Sequence, residues 1–208
     1  MSDDRRLIED YLPIEAISAE ASREKSVRKG HISTLHLWWA RRPLVACRAA
    51  VYGALVPVSR FVPNEAADQK KKSLGRANAA KFIQRLCRYP SDSKPEEYAD
   101  IDRAVREAQR HILEAHAERL TAESGKKVTY EDIVAGRAVR PKVLDMFAGG
   151  GAIPLEALRL GCDTYALDLN PVAHIIELCT LVYPQKYGKP DSSARGRTGP
   201  KEPNARAD

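Results

Sequence analysis

The residues best suited to chemistry are two acidic strand ends and the glycines between them. Asp145-Met146-Phe147-Ala148-Gly149-Gly150-Gly151 follows the apolar start Lys142-Val143-Leu144, and Leu167-Asp168-Leu169-Asn170-Pro171 comes one helix length later. In a strand, turn, helix, strand unit the glycines let the backbone approach a ligand, and an acidic side chain about 20 residues on accepts hydrogen bonds from ribose hydroxyls. Gly149 and Asp168 stand at that spacing. Asp145, however, puts a carboxylate ahead of the first glycine, where it would repel a pyrophosphate and attract an ammonium group. A ligand with a cation for one carboxylate, a ribose for the other and no phosphate is S-adenosylmethionine. A methyltransferase-type cofactor site is therefore expected rather than a nicotinamide site.

The elements that must hold these residues are readable nearby. Lys142 to Phe147 is short and rich in strand formers, and three glycines end it. Ile153, Leu155, Ala157, Leu158 and Leu160 then recur at helical spacing up to Gly161, with Pro154 in the first turn where its missing amide costs little. A second strand is expected from Asp163 to Asp168, and a second crossover helix from Pro171 to Val182. From Tyr183 onward the periodicity fails, and Pro184 to Asp208 reads as disordered for want of bulky apolar residues.

Upstream, Thr129 and Asp132 have capping-box spacing for a short helix stopping at Gly136. Helical patterns are expected over residues 16–29, 44–55, 79–86 and 98–120. Val56 to Ala77, with Pro57, Pro63 and Lys70-Lys71-Lys72, reads as an exposed connection. The sequence thus divides into an N-terminal helical region (1–56), a helical insertion with linkers (57–140), the start of a cofactor-binding domain (141–183) and a tail (184–208). Two strands make too small a doubly wound sheet, so further strands are expected elsewhere.

The 208 residues are 43% hydrophobic and 6% aromatic, enough for one modest core. No apolar stretch approaches the ~20 residues needed to span a bilayer, and the charged start leads into no signal-like core, so a soluble, cytoplasmic protein without a membrane partner is expected. Cys47, Cys87, Cys162 and Cys179 are widely separated and read as reduced core thiols. The formal charge of +6 is local: Arg23 to Arg48 holds seven Lys or Arg against one Glu, a stretch that could meet phosphates or be a solvated face. Inside it, His31 to Leu44 carries both tryptophans, Trp38 and Trp39, with His31, His36, Arg41 and Arg42. The indoles could stack on an unpaired base or pack a helix onto the sheet. The histidines lack the Cys or carboxylate companions of a metal site.

Leu12-Pro13-Ile14-x-Ala16-Ile17-Ser18-x-Glu20, Arg23-Glu24-Lys25-Ser26, the block His31-x-Ser33-Thr34-Leu35-His36-x-Trp38-Trp39-Ala40-Arg41-Arg42-Pro43-Leu44 and the glycine turn together resemble one family. It is that of adenine-specific DNA methyltransferases whose N-terminal region is the domain of unknown function eleven-fifty-six, and the resemblance covers about residues 5–187. It implies an α/β, Rossmann-like, S-adenosylmethionine-dependent methyltransferase fold that acts on the exocyclic amine of adenine in DNA. The fold would be incomplete here, with an N-terminal helical region and a helical insertion. By the same resemblance Asp145, Phe147, Ala148, Gly149 and Gly151 carry the first cofactor motif, and Asp168, Leu169 and Asn170 the second. Asp168 would hold the ribose, while Arg41 or Arg42 would bind the methionine carboxylate.

The chain departs from the family pattern downstream. No Asp or Asn followed by Pro-Pro and an aromatic residue occurs, and that motif orients the amine lone pair at the methyl group in a pocket for a flipped base. The zinc-ribbon cysteines are also absent from these residues. The expectation is an N-terminal, cofactor-binding part, inactive alone, with DNA as partner: either a fragment or one half of a split gene whose C-terminal half is a separate chain. The alternative is a non-catalytic nucleic-acid-binding module on a degenerate methyltransferase fold, using Arg23 to Arg48.

Overall fold

The computed structural model describes residues 5–27, 42–62, 69–90 and 95–188. At its centre lies α3 (Leu44–Leu55), whose bounds match the sequence pattern. Pro43 presets an extended N-cap, Leu44, Val45, Cys47, Ala49, Val51 and Tyr52 are buried, and the helix ends at Val56 ahead of Pro57. Its N-terminus is capped from α2 (Ile14–Ser26), where both Glu24 carboxylate oxygens accept from backbone, Leu44 N at 2.9 Å and Val45 N at 3.0 Å. A single turn, α1 (Leu7–Asp10), precedes α2, and the chain beside it joins the 56–58 segment through Leu7 N to Val56 O and Val58 N to Arg5 O.

The stretch read as an exposed connection is partly core. Val56, Val58 and Val62 are buried around a 3-10 turn at Val58–Arg60. The next helix, α4 (Gln69–Leu86), begins ten residues ahead of its expected start and takes in Lys70 to Lys72. Gly75 explains why: a Cβ there would lie 2.5 Å from the Phe61 carbonyl oxygen, so the first half of α4 packs by backbone proximity and leaves no apolar periodicity. The long α5 (Pro95–Ser124) buries Ile101, Ala104, Val105, Ala108 and Ile112 along one stripe, and α6 (Tyr130–Val134) carries the expected capping box at Thr129 and Asp132.

Strand β1 (Lys142–Asp145) pairs in parallel with β2 (Asp163–Ala166), Lys142 opposite Asp163 and Asp145 opposite Ala166. Between them α7 (Ala152–Arg159) covers one face, and its C-terminal end is held by Gln109 Nε2 on the Arg159 carbonyl and Arg140 Nη1 on the Gly161 carbonyl. One core cluster runs from Leu7 through α3, α4 and α5 to Leu160 and Cys162, so the N-terminal region, the expected insertion and α7 share a single interior. The described chain is mostly helical with a small parallel sheet, a mixed α/β arrangement. The sheet's other face is open, with Leu144, Tyr165 and Leu167 all more than half exposed.

After β2, α8 (Pro171–Glu177) passes into a π-helical stretch at Leu178–Val182 and then α9 (Tyr183–Tyr187). Three expectations change here. Helix continues past Tyr183 to Tyr187, including the first residues assigned to the tail. The inward face is not the one expected: Ala173, Glu177, Thr180 and Leu181 are buried while Val172 and Ile175 are exposed. Cys179 is exposed, although Cys47, Cys87 and Cys162 are buried free thiols. Residues 189–208, the rest of the expected tail, lie outside the described residues, and so does the block from His31 to Arg41 with both tryptophans and histidines. No helix among the described residues is long and apolar enough to cross a membrane.

Candidate functional site

The two acidic strand ends and the glycine turn form one connected structure at the C-terminal ends of β1 and β2. Parallel pairing continues past the strands through Leu167 N to Asp145 O at 2.9 Å and Ala148 N to Leu167 O at 3.0 Å. Asp145 Oδ1 accepts from Phe147 N at 3.1 Å, which turns the chain off the strand. Gly149 and Gly151 have φ of 55° and 74°, left-handed backbone that favours glycine, and Gly151 is the N-cap of α7.

Asp168 fastens the turn. Its Oδ2 accepts from Gly149 N at 2.8 Å and its Oδ1 from Asn170 N at 2.8 Å. These two backbone donors hold its carboxyl below the usual carboxylate range. Each oxygen keeps a further lone pair, so the group can still accept from a ligand hydroxyl. Asn170 caps α8 through Oδ1 and Val172 N at 2.9 Å. Ala148 is buried, whereas Phe147 is 84% exposed and Leu169 fully so.

Of the two arginines expected at the methionine end, Arg41 lies outside the described residues. Arg42 is exposed just before α3, and it and Asp145 both act on the buried Cys47 thiol, which burial pushes up to about 12. Arg42 and Asp145 thus both lie within electrostatic reach of that thiol. Two other members of the basic stretch, Arg23 and Arg48, are already engaged. Arg23 pairs with Glu20 at 2.9 Å. Arg48 is 5% exposed and binds Glu156 of α7 in bidentate fashion, at 2.6 and 3.1 Å, while its Nη1 donates to the Leu86 carbonyl. Arg48 is thus unavailable to a phosphate, and its role is to lock α7, and with it the glycine turn, onto α3.

Sequence reasoning missed three glutamates. Glu24 caps α3. Glu156 is fully buried and held below its ordinary range by Arg48 and Arg159 against the cost of burial. Glu177, on α8, is 4% exposed, lies beside Gly151, and has an Oε1 with no hydrogen-bond partner. The usable signal for the pair was a charge set among apolar residues in each of two helices, Arg48 in Leu44 to Leu55 and Glu156, three residues before Arg159, in Ile153 to Leu160. Among the described residues no group of His, Cys, Asp and Glu could hold a metal ion.

Comparison with known proteins gives one match. Residues 11–82, from the start of α2 to within α4, fit a family model described as a protein of unknown function, DUF1156. That match ends well before the glycine turn. No curated protein and no solved structure matches the chain.

Proposed function

We propose that this chain supplies the S-adenosylmethionine-binding part of a DNA adenine methyltransferase, with the sheet and turn as the beginning of a Rossmann-like fold. The observation that carries the reading is the bond from Gly149 N to Asp168 Oδ2 at 2.8 Å, which ties a left-handed glycine turn to an acidic strand end at the open end of two parallel strands. Ligands of open α/β sheets bind in that place. Asp168 would take the ribose hydroxyls, Asp145 the methionine ammonium, Arg42 with Arg41 the methionine carboxylate, and Phe147 and Leu169 would flank the cofactor. Gly149 and Gly151 keep the turn free of side chains, and Ala148 and Asn170 fix its two ends. When bound, the cofactor supplies an activated methyl group. The target amine needs acceptors that orient its lone pair, and no Asp/Asn-Pro-Pro-aromatic motif stands in these residues, so transfer would depend on a further segment or partner chain.

Ultraviolet crosslinking of methyl-labelled S-adenosylmethionine to the purified chain, with peptides mapped by mass spectrometry, tests the placement. Label on the peptides holding Phe147 or Leu169, competed by unlabelled cofactor and not by NAD, is expected. Label confined to other peptides contradicts the assignment.

A further inference from the structure

Three glutamates are buried among the described residues, and they differ in company. Glu24 binds two backbone amides and Glu156 an arginine, but Glu177 Oε1 has no partner. Leaving a buried acceptor unsatisfied is costly, and more so when it is charged. Glu177 sits where that charge reaches the turn: a Cβ on Gly151 would be 3.5 Å from its Cγ, and Leu181 closes the other side at 3.0 Å. The groups that act on its carboxyl are Asp168, Asp145 and, in the opposite sense, His174 on its own helix; burial and the two aspartates raise it above the usual range. Three carboxylates from β1, the end of β2 and α8 therefore surround one glycine turn without converging on a metal position. Three carboxylates about one turn favour a cation there over a neutral or anionic group of the same shape.

We propose that Glu177 makes the glycine turn selective for a positively charged ligand, holding the sulfonium cofactor and releasing its neutral thioether product. This rests on the cofactor reading above. In methyl transfer the sulfur–methyl bond breaks and its electron pair stays on sulfur. The amine lone pair forms the new nitrogen–carbon bond, and the amine then gives up a proton. The sulfur loses its charge while its shape barely changes, so a carboxylate that acts by field rather than by contact separates the two ligands.

Calorimetric titration of S-adenosylmethionine and of S-adenosylhomocysteine into the full chain and into Glu177→Gln decides it. The substitution keeps the shape, removes the charge and exchanges one acceptor oxygen for an amide NH2; circular dichroism verifies that the variant folds. Expected is a loss of about five- to tenfold in affinity for the sulfonium ligand, the size of one partly screened charge, with thioether affinity unchanged within about twofold. An unchanged ratio, or equal losses for both ligands, overturns the inference and leaves Glu177 a shaping residue while the cofactor reading stands. Failure of the wild-type chain to bind either ligand overturns both.

Discussion

At the scale of residues, His111 gives the chain a pH dependence of definite sign. Burial first, then Arg60 and Arg85 against Glu107 and Glu114, lowers its imidazole to about 4, and its Nδ1 lies 2.7 Å from the hydroxyl of the fully buried Tyr52. The unfolded chain takes up a proton near pH 6.5 that the folded chain refuses until about pH 4. His111 therefore contributes stability in full above pH 6.5, which is lost as pH falls toward 4. His111→Gln, which does not titrate, should lose about 1–2 kcal/mol less than wild type across that window in urea melts; parallel losses would contradict this. The same scale shows what a sequence conceals. The placement of Asp145, Gly149 and Asp168 at two strand ends and a turn was legible, because glycines that close a strand and acidic strand ends one helix apart are local signals. Glu177 was not, because its meaning depends on which way α8 turns and on what it lacks rather than on what surrounds it in the sequence.

At the scale of elements, legibility followed the source of each element's stability. The bounds of α3 and the cap of α6 could be read directly, since both rest on local apolar content and capping side chains. The first turns of α4 could not, because Gly75 meets Phe61 and Val62 through backbone approach, and the π stretch after α8 could not, because it breaks the 3.6-residue period on which the reading relied. Gly75 yields an inverted expectation. Glycine to alanine inside a helix normally stabilises by about 1 kcal/mol, but here the new Cβ would lie 2.5 Å from Phe61 O and 2.8 Å from Val62 Cγ2. Gly75→Ala should destabilise by about 2–3 kcal/mol in chemical denaturation, and a gain in stability would show that α4 does not depend on this contact.

At the scale of the whole molecule, a single helical core carries a two-stranded parallel sheet at its margin, with one face against α7 and the other open at Leu144, Tyr165 and Leu167. Parallel sheets are ordinarily covered on both faces, so this sheet owes its order to α7 and to the Arg48–Glu156 pair that joins α7 to α3. The shared core thus lies behind α7 and the glycine turn, while the sheet face away from α7 is open. What was legible of the sheet was one unit of strand, turn, helix and strand, because each of its parts has a local signal. The most direct test of the account is a calorimetric titration of S-adenosylmethionine into the chain beside Asp168→Ala, with NAD as the comparison ligand. Saturable binding that weakens at least about tenfold in the variant, as expected for loss of a charge-assisted acceptor and of the turn it fastens, with none for NAD, is the predicted result. Equal binding by wild type and variant, or preference for NAD, would contradict it.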